Sequence, residues 1–283
     1  MKTRPIQRAA GDVLSVCRHA RPAAAARWVT ALVTHMPECT RYRSLRPADR
    51  SWEHAGAKFR TSTGAVVSLP AAYTSGAREM YCRNVYLRTG LVMPTVGWVV
   101  DLGANRGLFS VWAALTGARV IAVEAQQGFA AEIRGLATCN GVAERISVEV
   151  AVASGAAVSG TAVGLIADDS LWATASHGTP DRPTDISIPG LMSTFGIDCI
   201  NFLKMDIEGG EFAVLAADEN LDWLNKVEQL ALEVHPSAGD VVSMIERLRC
   251  HGFIIDLRNN DGDRVSVSSE SVNYAYCRRP RTA

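Results

Sequence analysis

The stretch Trp98-Val-Val-Asp-Leu-Gly-Ala-Asn-Arg-Gly107 decides the fold. Its first five residues are an apolar run around one acid, Asp101, the pattern of a strand buried on both faces. Gly103 permits a tight strand-to-helix turn, and Gly107 permits close backbone approach to a ligand or a neighbouring helix. The apolar segment Leu108–Leu115 then reads as a helix. Outward from this unit the same alternation repeats. Strands are expected at Val120–Glu124, Ile146–Val150, Phe202–Asp206, Gln229–Val234 and Phe253–Leu257, and helices at Phe129–Cys139, Gly210–Ala217 and Val241–His251. That order predicts a doubly wound, Rossmann-like α/β sheet. Asn273–Arg278 is expected as a seventh strand, antiparallel beside the sixth. Ala153–Gly196, which holds Asp168-Asp169-Ser170 and His177, reads as an irregular excursion of the kind used for substrate loops.

Twenty-three residues after Asp101, Glu124 closes the second strand. A carboxylate there can accept hydrogen bonds from two ribose hydroxyls, as in dinucleotide and S-adenosylmethionine sites alike. The glycine turn separates the two. A pyrophosphate favours G-x-G-x-x-G at a helix N-terminus. Here the pattern is D-x-G-x-x-x-G, with Asn105 at the second glycine's place, and Asp101 suits a cationic ligand such as a methionine amino group. Asp101, Gly103, Asn105, Gly107 and Glu124 are the cofactor candidates, together with Ala151 just past the third strand.

Before the sheet lie two further segments. Residues 1–56 read as a basic helical extension, with Val29, Leu32, Val33 and Met36 at helix spacing. Residues 57–97 read as a hairpin, Ala57–Leu69, followed by a helix over Arg78–Leu87 that carries Tyr81 and Tyr86. Residues 98–283 form the catalytic unit of this division.

The chain of 283 residues has a formal net charge of zero. The sum is divided: residues 1–97 hold 15 basic and 5 acidic side chains, and residues 98–283 hold 14 and 24. Balanced charge without interleaved aromatic and basic residues argues against a nucleic-acid partner. The divided charge suggests that the basic segment complements the acidic sheet, with spare arginines for an anionic acceptor or a second copy in a homodimer. No apolar run is long enough to span a membrane, and Ala23–Ala26 is too short for a signal-peptide core. Seven scattered cysteines with no C-x-x-C pair suit reduced thiols in the cytoplasm.

Two long motifs carry a resemblance. Asp101-Leu-Gly-Ala-Asn-Arg-Gly-Leu-Phe-Ser110 and Leu203-Lys-Met-Asp-Ile-Glu-Gly-Gly-Glu211 resemble the FkbM-type S-adenosylmethionine-dependent methyltransferases. Arg78-Glu-Met-Tyr81, Tyr86 and Glu233-Val-His235-Pro236 extend the likeness over residues 57–278. Ala125, where the family commonly has Pro, and Gly210, where it commonly has Ala, depart from it. The resemblance implies a class I methyltransferase sheet and methyl transfer to oxygen on sugars, polyketides and other specialised metabolites, as in antibiotic biosynthesis. Nitrogen acceptors, on a peptide or amino-sugar, are the alternative, and a non-catalytic Rossmann-like module is a second.

Methyl transfer to a hydroxyl needs alignment and removal of a proton. Strand alternation puts Lys204 and Asp206 on one face, where Lys204 can pair with Asp206. His235 is the preferred general base because imidazole titrates near neutral pH, and Glu233 shares its strand face and can orient the ring. Glu211 reads as a helix cap. Glu208, Tyr81 and His177 are the substrate candidates, although Tyr81 and Tyr86 suit packing of the cap on the sheet better than stacking on substrate. Asp206, Glu208 and His235 could ligate a divalent metal. No metal-specific spacing is present, so none is assigned.

Overall fold

A computed structural model describes residues 4–154, 163–167, 173–177, 184–216, 221–268 and 271–280. The chain opens with four helices, α1 (Arg4–His19), α2 (Pro22–Thr34), α3 (Met36–Tyr42) and α4 (Arg46–Asp49). Proline at the first turn of α2, α3 and α4 sets each entry, since its missing N–H is one that a helix start leaves unpaired. An antiparallel hairpin follows, β1 (Ala57–Arg60) with β2 (Val66–Leu69).

These segments join the sheet through rings. Trp28 contacts Trp52, Trp52 contacts Phe59, Phe59 contacts Tyr81, and Tyr81 contacts Trp112, with centroids 5.0 to 6.2 Å apart. Trp112 then contacts Phe109, which contacts Phe202 in the sheet. Each ring buries a large apolar area, and all seven lie in one core cluster. The ion pairs Arg78–Asp12, Arg78–Asp49 and Arg83–Asp12 close within the first 97 residues. Among the described residues, the ring contacts carry this segment onto the sheet, with polar contacts from Arg83 and Tyr86 beside them.

The expected helix over Arg78–Leu87 is a single wide turn, Arg78–Cys82. Asn84 and Thr89 have left-handed φ of 53° and 57°, so the chain leaves the helix at Asn84, a residue type that tolerates this region. The Asn84 side chain donates to the Leu87 carbonyl and closes the turn that delivers Tyr86.

Then come β3 (Trp98–Leu102), α5 (Leu108–Thr116), β4 (Arg119–Glu124), α6 (Gln127–Cys139) and β5 (Ile146–Ala153). The stretch expected to be irregular holds a paired ribbon, β6 (Val163–Ala167) with β7 (Ala173–His177), then β8 (Thr184–Ile186) and α7 (Ile188–Phe195). The chain continues as β9 (Phe202–Met205), α8 (Gly210–Ala216), β10 (Gln229–Glu233), α9 (Val241–Cys250), β11 (Ile254–Arg258) and β12 (Tyr274–Arg278). Asp168-Asp169-Ser170 and the side chain of His177 lie outside the described residues.

The central sheet runs β11-β12-β10-β9-β3-β4-β5-β8. It has eight strands where seven were expected, because β8 pairs in parallel on β5 at the edge. β12 pairs antiparallel with β11, as expected, and also with β10. Val99, Val120 and Phe202 face the core shared with α5, α6 and the N-terminal helices. Val100, Ile121 and Leu203 face the other core, with α7 and α9. Strand order reverses between β3 and β9, and ligands in open α/β sheets lie beyond the carboxyl ends at such a reversal.

Candidate active site

Gly103 makes the crevice possible. It has φ 73°, and a Cβ there would lie 1.8 Å from the Asp206 carbonyl oxygen, so only glycine lets the ends of β3 and β9 approach. Gly107, also left-handed at φ 79°, opens α5 against Ile133. Asn105 shares the left-handed conformation, φ 50°, and its amide donates to Glu124 Oε2 at 2.7 Å. The Gln126 amide donates to Glu124 Oε1 at 2.8 Å. Glu124 is buried, and burial raises its pKa against the pull of those two amides. Ala151 does not line this turn. It is an interior residue of β5, paired with Thr184, and its methyl is buried in the core with Ile188 and Leu191.

Asp101 departs from the expected contact with a cationic ligand. It is 0% exposed, with Oδ2 accepting from Ser110 Oγ at 2.6 Å and Oδ1 lying 3.2 Å from Lys204 Nζ. Lys204, 3% exposed, is the hub of the crevice. Its Nζ donates to the Gly103 carbonyl at 2.7 Å and lies 3.5 Å from Asp206 Oδ2. Burial opposes its charge, yet Asp101 and Asp206 outweigh that and push its pKa well up, so it is an ammonium.

Tyr86 completes the cluster. Its hydroxyl lies 2.7 Å from both Asp206 Oδ2 and Glu233 Oε2, bringing together the carboxylates at the ends of β9 and β10. Lys204 Nζ sits 5.2 Å over the Tyr86 ring. Burial, and then the charge of Asp206, push the Glu233 carboxyl up to about 8. Tyr274 reaches the other Glu233 oxygen at 3.4 Å.

His235 sits at the end of β10 as expected, but not as a free base. Nε2 lies 3.2 Å from Glu208 Oε2, and Nδ1 lies 3.0 Å from Glu211 Oε1. Hydrogen bonds to these two carboxylates push its pKa up to about 10, so at neutral pH the ring is already an imidazolium with no lone pair to take a proton. Glu233 does not orient it; Glu211 does. Glu211 also accepts from the Ile207 amide, which is the capping contact expected of it. Glu208 has left-handed φ of 53° and faces His235. Tyr81 is not a substrate contact: it is fully buried and donates to the Leu108 carbonyl.

Sequence reasoning thus located Lys204, Asp206, Glu233 and His235 at one crevice, gave no role to Ser110 or Tyr274, and read Tyr86 as packing rather than as a partner of Asp206 and Glu233. Ser110 carried a signal as the last residue of the glycine-turn motif. Tyr86 stood in the family likeness and Tyr274 carried no signal, and the partners of both were hidden because they lie 120 and 41 residues away in the chain.

A parallel sheet reversed at β3, a glycine turn there, and acids at successive strand ends define the class I methyltransferase architecture. Residues 101–255 match the methyltransferase FkbM domain, and the chain belongs to that family of methyltransferases. It is 28% identical over 211 residues to the 31-O-demethyl-FK506 methyltransferase FkbM of Streptomyces tacrolimicus, covering 63% of this chain and 80% of that protein. It is 29% identical over 252 residues to the AMB antimetabolite synthetase AmbE of Pseudomonas aeruginosa, covering 72% of this chain and only 11% of that protein. Among solved structures, precorrin-6y C5,15-methyltransferase from Geobacter metallireducens GS-15 aligns with a TM-score of 0.40 at 11% identity, over 70% of this chain and 87% of that one.

Proposed function

We propose that this methyltransferase uses S-adenosylmethionine to methylate a hydroxyl oxygen on a small specialised metabolite of the sugar or polyketide kind, within natural-product biosynthesis. The residues present fit that cofactor. Glu124 spends two of its roughly four lone-pair sites on the Asn105 and Gln126 amides, which leaves acceptor capacity for ribose hydroxyls. The turn from Gly103 to Gly107 offers backbone unobstructed by Cβ atoms at both ends. When bound, S-adenosylmethionine supplies a methyl group on a sulfonium, with a thioether as leaving group.

The observation that carries the oxygen acceptor is the Tyr86 hydroxyl 2.7 Å from two carboxyl oxygens. One hydroxyl hydrogen cannot serve both, so this unit shares protons between Asp206, Tyr86 and Glu233. A hydroxyl acceptor loses a proton on methylation, and such a unit receives it. In this reading Asp206, steadied by Lys204, orients the acceptor hydroxyl and takes its proton. Lys204 is in turn positioned by Asp101, whose place is fixed by Ser110. The Streptomyces relative, named for an O-demethyl substrate, supports the same acceptor atom.

The test is a thermal-shift comparison of S-adenosylmethionine with NAD, followed by methyl-donor assays across hydroxylated metabolites. A shift with S-adenosylmethionine alone and a product methyl on oxygen are expected. No shift would sink the cofactor assignment, and a product methyl on nitrogen would sink the acceptor.

A further inference from the structure

Asp206, Glu208 and His235 each bring one ligand atom to a common point, with all three atoms within 4.8 Å of one another. We propose that this trio binds a divalent cation of the Mg²⁺ or Mn²⁺ class, and that the cation holds the acceptor oxygen beside the methyl donor. The proposal deepens the methyl-transfer reading and rests on it for the role of the cation, but not for its binding.

Position is the first argument. Asp206 and Glu208 follow β9 and His235 follows β10, so the trio sits beyond the carboxyl ends of adjacent parallel strands, beside the order reversal. All three side chains are part-exposed, at 21%, 28% and 26%, and so within reach of a cation from solvent.

The second argument is how His235 is held. Its Nδ1 faces Glu211 Oε1 at 3.0 Å, which leaves Nε2 as the nitrogen turned toward Glu208. Histidines that ligate metals present one nitrogen while the other is fixed by a carboxylate behind it. Glu211 is that carboxylate, wholly enclosed at 0% exposure, and its Oε2 has no hydrogen-bond partner among the described residues. Leaving a buried carboxylate oxygen unpaired is costly unless positive charge lies close by.

Charge is the third argument. Asp101, Asp206, Glu208 and Glu211 converge here, against Lys204 and His235. A sulfonium adds a single positive charge, and a divalent cation compensates the rest. Two carboxylates and one imidazole suit Mg²⁺ and Mn²⁺, and three protein ligands leave positions for water and an acceptor oxygen. On binding, the cation takes the Nε2 site and one proton leaves His235 to solvent. Coordination would lower the pKa of the acceptor hydroxyl, whose proton passes to the unit of Asp206, Tyr86 and Glu233 through the Asp206 oxygen that faces Tyr86.

The test uses the full chain stripped with EDTA and titrated with Mn²⁺, with free Mn²⁺ followed by electron paramagnetic resonance. One saturable site per chain is expected. Its affinity should fall about tenfold to a hundredfold in Glu211→Gln, the scale seen for partners behind a metal-bound histidine, and at least as far in Glu208→Gln and His235→Gln. Circular dichroism melts identify any variant that fails to fold; Glu208→Gln is the mildest change, being part-exposed and isosteric. Absence of saturable Mn²⁺ binding by the folded parent chain, or unchanged affinity in folded Glu208→Gln, would overturn the proposal. Methyl transfer undiminished by EDTA would overturn the cation's role while leaving the methyltransferase reading intact. Mn²⁺ binding without any S-adenosylmethionine shift would do the reverse.

Discussion

At the end of β4, Glu124 accepts from two main-chain amides, Asn105 and Gln126, whereas at the ends of β9 and β10 the carboxyl groups of Asp206 and Glu233 meet side chains, Lys204, Tyr86 and Tyr274. Amides are set by the turn that carries them and donate without giving up a proton. Ammonium and phenol groups can shift, and a phenol can pass a proton on. One end of the crevice is therefore a fixed receptacle and the other a proton-handling surface. The same residue types, acids at strand ends, do different work because of what satisfies them.

The comparison can be broken most severely at Lys204. Lys204→Met leaves Asp101 enclosed without its cation, and removing one partner of a buried pair costs about 3–5 kcal/mol. Denaturant unfolding should register that loss, and wild-type stability would show that the cluster is not integrated as described. Asp206→Asn comes next. Turnover should fall by about 10²–10⁴, the range for a positioned proton acceptor, while S-adenosylmethionine affinity measured by calorimetry stays unchanged. An equal fall in affinity would erase the distinction between the two ends. At the fixed end, Glu124→Ala removes the acceptor of two part-buried amides, a loss of about 0.5–1.5 kcal/mol for each hydrogen bond. Here the expectation is reversed: cofactor affinity drops, and kcat at saturating cofactor changes little. The smallest effect is Tyr86→Phe, which removes one hydroxyl worth about 1 kcal/mol. Its stability change should be slight, and its signature is slower turnover at unaltered cofactor affinity.

Much of this architecture was legible in the amino-acid order. Apolar runs closed by Asp101, Glu124 and Asp206, with a glycine turn after the first, place strands and crevice without reference to distant contacts. Within 153–196 the helix α7 had local signals too: Ser187 caps it by accepting from the Gly190 amide, Pro189 lies in its first turn, and Gly196 ends it in the left-handed region. β8, only three residues long, had none, since its pairing with β5 is decided by a partner more than thirty residues back. His235 shows the same limit at the site. Its location followed from the strand pattern, but its protonation depends on Glu208 and Glu211, which approach it across the sheet from 27 and 24 residues away. Ring chemistry is a property of neighbours, and neighbours are set by folding.

The chain of aromatic contacts from Trp28 to Phe202 also makes the molecule its own optical instrument. Three of its seven members are tryptophans, Trp28, Trp52 and Trp112, and Phe202 lies two positions before Lys204. These indoles are three of the chain's six tryptophans, so with Trp98, Trp172 and Trp223 replaced by Phe the remaining emission follows the joint between the N-terminal helices and the sheet. Loosening of that joint on heating should appear as a red shift at the same temperature at which the crevice loses its ligand.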